Sequence, residues 1–325
     1  MKKILILFLL SVVFLQAEHS IVFVHVGPRL PDYMEDSLSQ ARLFNKTCPI
    51  YLAASQEALQ GLSEKARAAS PTLVPLETLQ KTENHLCFNN FSVMDRSFRG
   101  GFWHYTSERF FYLEEVIAHY DLHQVFHLEN DNMLYVDLEK ILPVFMQYYP
   151  GIAATFDNDR RCIPGFVYIA DKQIIADLTT LMANQAHAGK NDMEFLAIFK
   201  DHVQREGIDH LPIVMENYFD YYEALSPSGH RVRNPWLYSQ HGDYFDSIFD
   251  AAALGQYLGG IDPKNGASSP GFINESCIFN PSKLHFRWER DLEGRNVPYA
   301  YFEGVERRIN NLHIHCKNLK LFSSE

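Results

Sequence analysis

Two carboxylates one residue apart, Glu129 and Asp131, follow the short run Gln124-Val125-Phe126-His127-Leu128. In an extended segment side chains alternate, so both acids point the same way. Paired carboxylates are hard oxygen ligands suited to a divalent cation such as Mg²⁺ or Mn²⁺. Asn and Asp are also ordinary turn residues, so the stretch reads equally as a polar strand-to-loop turn. Far downstream, Asn311-Leu312-His313-Ile314-His315-Cys316-Lys317 alternates polar and apolar residues. As a strand it puts His313, His315 and Lys317 on one face. Imidazole can complete a metal shell begun by carboxylates, and an ammonium group can neutralise phosphate oxygens.

The elements around these residues must place them. Val125, Phe126 and Leu128 read as a buried strand, apolar on both faces, as in the middle of an α/β sheet. Ligands of open α/β sheets sit beyond the carboxyl ends of the strands, where the acidic pair lies. Upstream, residues 21–26, 49–53 and 72–76 read as strands, with helices predicted over 34–44 and 56–69. That alternation argues for βαβ units and a largely parallel sheet. No GxGxxG follows the first strand, so the usual dinucleotide fingerprint is absent.

Residues 81–104 read as polar and irregular, and Thr106 as the cap of the next helix, with Phe110, Leu113 and Ile117 on its buried side. Arg109 on that helix either reaches a phosphate or is simply solvated. After the acids, Asp137 caps a helix, and strands over 152–156 and 166–170 flank the loop 157–165. Gly165 there permits close backbone approach to a ligand, or an ordinary tight turn. Asp171 and Asp192 each stand where a helix cap is expected, and Asp250 opens an Ala-rich helix that stops at Gly259-Gly260. The aromatic-rich stretch 206–249 suits stacking on sugar rings, or core and lid packing.

The chain has 325 residues, 46% hydrophobic and 21% charged, with a formal net charge of −11. No Lys/Arg-rich run is present, which argues against nucleic-acid binding by a general basic surface. Any anionic ligand therefore needs a metal or a few local cations. Lys2-Lys3, an apolar run from Ile4 to Leu15 broken only by Ser11, and small Ala17 together predict a secretory signal peptide over residues 1–17. The expected protein is thus exported, with residues 18–325 as one domain. An uncleaved membrane anchor is the alternative, although the run is shorter than the roughly 20 residues of a comfortable span. The cysteines at 48, 87, 162, 277 and 316 are too dispersed for a zinc ribbon. In an exported chain they allow up to two disulfides.

Taken in order, these features resemble metal-dependent glycosyltransferases of the GT-A type across residues 20–320. Glu129 stands where the family's DxD motif usually has Asp, keeping the charge on a longer arm. The resemblance implies a single GT-A-like, Rossmann-like α/β domain with a mostly parallel central sheet flanked by helices. It implies a nucleotide-sugar donor, a carbohydrate or glycosylated acceptor, and hexosyl transfer to an acceptor hydroxyl. It also implies Mn²⁺ or Mg²⁺ bridging the donor phosphates, held by Glu129, Asp131 and a late histidine taken as His315, with His313 in reserve. Lys317 and Arg109 would face the phosphates. Asp250 would match the general base of inverting members, although Phe249 precedes it where the family has an acidic pair, and Asp192 is the alternative. A secreted metal-dependent hydrolase would want an HExxH or a dense two-metal cluster, and neither is present. An inactive carbohydrate-binding relative would have lost one of the paired acids. The export signal fits a nucleotide-sugar enzyme in a eukaryotic secretory lumen better than one in a bacterial periplasm.

Overall fold

A computed structural model describes residues 19–202, 207–266 and 269–325; the expected signal peptide lies outside them. The first strand, β1 (Ser20–Val24), is buried throughout. Its side chains alternate between two apolar cores, Val22 and Val24 into one, Ile21 and Phe23 into the other. Helix α1 (Met34–Phe44) buries the stripe that its spacing predicts, and β2 (Ile50–Ala54) follows. Gly61 divides the helix predicted over 56–69 into α2 (Gln56–Gln60) and α3 (Glu64–Ala68), capped by Ser55 and Ser63. Strand β3 (Thr72–Pro75) comes next.

The stretch read as irregular contains a helix, α4 (Glu83–Phe91), capped by Thr82. Helix α5 (Phe102–Tyr120) begins ahead of Thr106, so that hydroxyl bonds back to the Trp103 carbonyl rather than capping. Then come β4 (Val125–Leu128), β5 (Asn132–Leu134) and α6 (Leu138–Tyr148), the last capped by Asp137 as expected. The predicted loop 157–165 is largely strand. Strands β6 (Ile152–Asn158) and β7 (Arg161–Ile169) form a hairpin, held at its tip by Asn158, whose Nδ2 donates to the Ser276 carbonyl at 3.0 Å.

Helix α7 (Lys172–Asn184) is capped by Asp171. At α8 (Asp192–His202) the cap is Asn191, paired reciprocally with Glu194, and not Asp192. The remaining elements are β8 (Ile208–His210), α9 (Tyr218–Tyr221), α10 (Gly242–Phe245), β9 (Ser247–Ile248), α11 (Leu254–Gly259), β10 (His285–Arg290), β11 (Asn296–Phe302), β12 (Val305–Ile309) and β13 (Asn311–His313).

The central sheet runs β3-β2-β1-β4-β7-β6-β8, with β7 alone antiparallel to the rest. It is the mostly parallel, helix-flanked sheet that the strand–helix alternation predicts. A second sheet, β10-β11-β12-β9, was not foreshadowed by the sequence pattern, since β10 exposes most of its residues. A third pairing, β5 with β13, matters most for function because it links the acidic turn to the C-terminal histidines. Of the aromatics in 206–249, Tyr218 and Tyr238 are core residues, while Tyr221, Trp236 and Tyr244 are exposed. All five cysteines are free thiols. Among the described residues no helix is long and apolar enough to cross a membrane.

Candidate metal centre

Strand β4 ends at Leu128, where the sequence places it, and the chain turns at once: the Asn132 N–H donates to the Glu129 carbonyl at 3.0 Å. The two acids therefore converge through a tight turn rather than through extended alternation. Strand β13 pairs antiparallel with β5, setting His313 opposite Asn132. That register carries the imidazole to the acids across more than half the chain. His313 Nε2 lies 3.0 Å from Glu129 Oε2 and 3.1 Å from Asp131 Oδ1. One ligand atom from each of Glu129, Asp131 and His313 falls within 4.8 Å of the others. Asp131 and His313 are each only 5% exposed.

Close approach of the backbones makes this possible. A Cβ on Gly165 would sit 2.8 Å from His313 Nδ1 and 2.9 Å from Asn132 Nδ2. Gly165 reads from sequence as room for a ligand or as a tight turn; what it makes room for is the His313 ring. On the other side, a Cβ on Gly255 would lie 2.1 Å from the His313 carbonyl oxygen. Asn132 Nδ2 donates to the Gly165 carbonyl at 2.7 Å, and Asn311 Nδ2 donates to Asn132 Oδ1 at 3.1 Å.

Asp250 belongs to this scaffold, which corrects its expected role as general base. Helix α11 starts only at Leu254, and the fully buried Asp250 carboxylate accepts backbone N–H groups from Ala253, Leu254, Gly255 and His313 at 2.8–2.9 Å. Both oxygens are occupied, so neither is open to an acceptor hydroxyl. Asp250 fixes His313 in place.

Arg109 is likewise corrected from a phosphate contact to an internal counter-ion. Its guanidinium, buried on α5, pairs with Glu129 through Nη1 and with Asp192 through Nη2, the latter at 2.9 Å. Lys317 donates to Asp131 Oδ2 and sits 5.6 Å from the Tyr33 ring centre. Strand β13 ends at His313, and the chain turns, with Lys317 at φ 63°. His313, His315 and Lys317 are therefore not three residues of one strand face. The His315 ring centre is 4.7 Å from that of His313, and its Nδ1 lies 3.1 Å from Gln256 Nε2. The histidine against both acids is His313, the reserve residue, and His315 stands behind it.

The electrostatics match the geometry. Three carboxylates, Glu129, Asp131 and Asp192, face Arg109, Lys317 and an imidazole that can take a proton. Burial pushes the His313 pKa down, but Asp131 and Glu129 overcome it and lift it to about 10. Burial alone would raise Glu129; Arg109 and His313 hold it well below the usual carboxylate range. Asp131 is held low in the same way by His313 and Lys317. Burial lifts Asp192 to about 6, with Arg109 opposing. His315 is pushed down to about 3 by burial and then by the charge on His313, so it is a neutral imidazole at physiological pH. Two carboxylates and one imidazole form a mixed O/N donor set of the kind that can hold a divalent cation. His313 Nδ1 has no hydrogen-bond partner among the described residues.

Sequence reasoning found both acids and the right segment for the histidine. It missed the scaffold of Asn132, Asn311 and Asp250, whose signal is the β5–β13 register rather than any spacing along the chain.

No protein-family model and no curated protein matches the sequence. Among solved structures, the chain is similar to mouse xyloside xylosyltransferase 1, at 12% identity over 62% of this chain and 90% of that one, with a TM-score of 0.43. It is also similar to a cytidylyltransferase from Leptospira borgpetersenii, at 9% identity over 60% and 76%, TM-score 0.39. A third is the PaToxG glycosyltransferase, at 10% identity over 57% and 69%, TM-score 0.41. All three scores fall below 0.5, and the functional reading rests on the residues of the site.

Proposed function

We propose that the chain is a metal-dependent glycosyltransferase that takes a sugar from a nucleotide-sugar donor to an acceptor hydroxyl. The observation that carries this is the convergence of Glu129, Asp131 and His313 beyond the carboxyl end of the central strand β4. The edge formed by parallel strand ends is where α/β sheets take ligands. Glu129, Asp131 and His313 would hold a divalent cation, which would supply positive charge to a departing nucleoside diphosphate. Manganese suits this mixed set better than magnesium, which favours an all-oxygen shell.

The chain's own residues do the rest. Arg109, held by Asp192, neutralises Glu129 and fixes its orientation. Lys317, on Asp131 in the free protein, is the cation placed to turn toward donor phosphates. Asp250 keeps His313 against the acids through the backbone. Asp192 has a carboxyl lifted to about 6, but serving as the general base would require it to release Arg109. The signal peptide and export remain part of the proposal, and the acceptor is met outside the cytoplasm.

Binding of a panel of nucleotide-sugars, with and without Mn²⁺, tests the reading. Asp131→Asn is nearly isosteric and should keep the fold. Loss of even an outer-shell partner costs about 10–100-fold in metal affinity, so this variant should lose about 100-fold or more in Mn²⁺-dependent donor binding. Donor binding that is equal with and without metal, or unchanged in the variant, contradicts the proposal.

A further inference from the structure

A cavity of about 1320 Å³ opens along the edge strand β8, apart from the acid–histidine cluster. Its wall carries Arg160, Lys200, Arg231 and Arg233 against only Asp159 and Asp209. In a chain with 40 acidic and 29 basic residues, that local reversal of sign is notable as chemistry. Arg231 pairs with Glu223 at 2.8 Å, whereas Arg160 and Arg233 form no ion pair among the described residues. The acids are partly spent: Asp159 Oδ1 accepts the Tyr238 hydroxyl at 2.8 Å, and burial raises the Asp209 pKa.

The cavity wall also includes His210, which is 3% exposed and stacked on Phe156 at 4.2 Å between ring centres. Neither of its ring nitrogens has a hydrogen-bond partner among the described residues. Burial and the nearby Lys200 push its pKa down to about 3, leaving a neutral ring with one donor and one acceptor. Such a buried, unsatisfied group is favourable only when something supplies a partner. Exposed Trp236 lies on the same short turn as the lining residue Leu237, and an indole face suits a sugar ring.

Helix α8 connects the two places. It carries Asp192 into the cluster and Lys200 onto the cavity wall, eight residues apart. At the helical rise this is about 12 Å along the axis, the scale of an oligosaccharide. We propose that the cavity is the acceptor site and that the acceptor is an anionic glycan, whose phosphate, sulfate or carboxylate groups meet Arg160 and Arg233. This rests on the transferase reading for the word acceptor, but the binding itself does not need donor or metal.

The test is equilibrium binding to the full chain, without donor or Mn²⁺, of a sulfated tetrasaccharide, a uronate tetrasaccharide, inorganic phosphate and a neutral tetrasaccharide. Charged oligosaccharides should bind, more tightly at low ionic strength, and the neutral one should not. The order among sulfated, uronate and phosphate probes identifies the anionic group. Arg160→Ala combined with Arg233→Ala, both exposed positions, should weaken that binding at least about tenfold. The same variant should keep wild-type Mn²⁺ and nucleoside diphosphate affinity, and Arg290→Ala on β10 should change nothing. Equal binding of charged and neutral sugars, or an unaffected double variant, overturns the proposal. Nucleotide competing for the charged sugar at this cavity overturns it as well. Absence of Mn²⁺-dependent nucleotide binding in the wild type sinks the transferase reading instead and leaves the anionic-sugar result standing.

Discussion

Helix α5 carries two neighbouring residues into two buried ionic clusters of opposite design. Arg109 enters the Glu129–Asp131–His313 cluster, while Glu108 enters one built around His85. Each has a buried histidine between two carboxylates. His85 uses both ring nitrogens, Nδ1 to Glu115 at 2.8 Å and Nε2 to Glu108 at 2.9 Å, so its acids stand on opposite sides of the ring. His313 presents a single nitrogen, Nε2, to both of its acids. A bridging ring ties α4 to α5 and cannot share one ion with both partners. A converging nitrogen can. Composition is nearly the same in the two clusters, and the geometry of the donor atoms separates a structural clamp from a candidate metal centre.

The largest effect should come from breaking the clamp. His85→Ala takes the shared cation from two buried carboxylates, leaving Glu108 with Asn89 and Lys81 and Glu115 with the Thr82 N–H. It should destabilise the fold by about 3 kcal/mol, read as a lowered denaturant midpoint. Mn²⁺ affinity of the folded protein should be unchanged. A loss of metal binding there, with stability intact, would erase the distinction between the clusters.

The pH dependence of stability should follow the clamp. Burial opposes ionisation of Glu108, but hydrogen bonds from His85 and Asn89 bring its pKa from 4.5 down to about 2. Its contribution is fully present above pH 4.5 and is lost as pH falls through about 2. The shift corresponds to something on the order of 3 kcal/mol. Burial also opposes a charged His85, yet Glu108 and Glu115 raise its pKa above 6.5. That contribution is complete below pH 6.5 and disappears as pH rises through the folded value. Unfolding midpoints should therefore peak between pH 4.5 and 6.5, and the acid limb should flatten in Glu108→Gln. An unaltered limb in that variant would contradict the assignment.

The candidate metal centre should respond to small steric changes more than overall stability does. Gly165→Ala puts a methyl group 2.8 Å from His313 Nδ1, so the ring must move. Mn²⁺ affinity should fall about tenfold, equivalent to about 1.4 kcal/mol. Unchanged affinity would mean that His313 is not positioned by this contact.

The contrast also explains what the sequence made legible. Strands β1 and β4 are buried on both faces, and their apolar runs announce them. Helix α4 was hidden because its inward residues are His85 and Phe88, and the polar one is satisfied by acids from another helix. The strands of the β6–β7 hairpin were legible at their outer ends, but its tip, 157–165, reads as a loop because Asp157 and Asn158 are polar yet buried, with Arg161 placed 3.3 Å from the Asp157 carboxylate. Glu129 and Asp131 stood out because their partners in function are adjacent in sequence. The choice of His313 over His315 depends on where β13 stops pairing with β5, and nothing in an alternating His-x-His pattern marks that point. Asp250 looked like a base because an acid before a helix is a familiar site, whereas its four N–H donors come from a fold that spacing does not reveal.

The most direct test of the converging centre is Mn²⁺ titration calorimetry on the wild type, His313→Ala and His315→Ala. His313→Ala should lose about 100-fold or more in affinity, beyond the loss expected for an outer-shell partner, and His315→Ala should stay within about tenfold of the wild type. Wild-type affinity in His313→Ala, with the large loss falling on His315→Ala, would contradict the account.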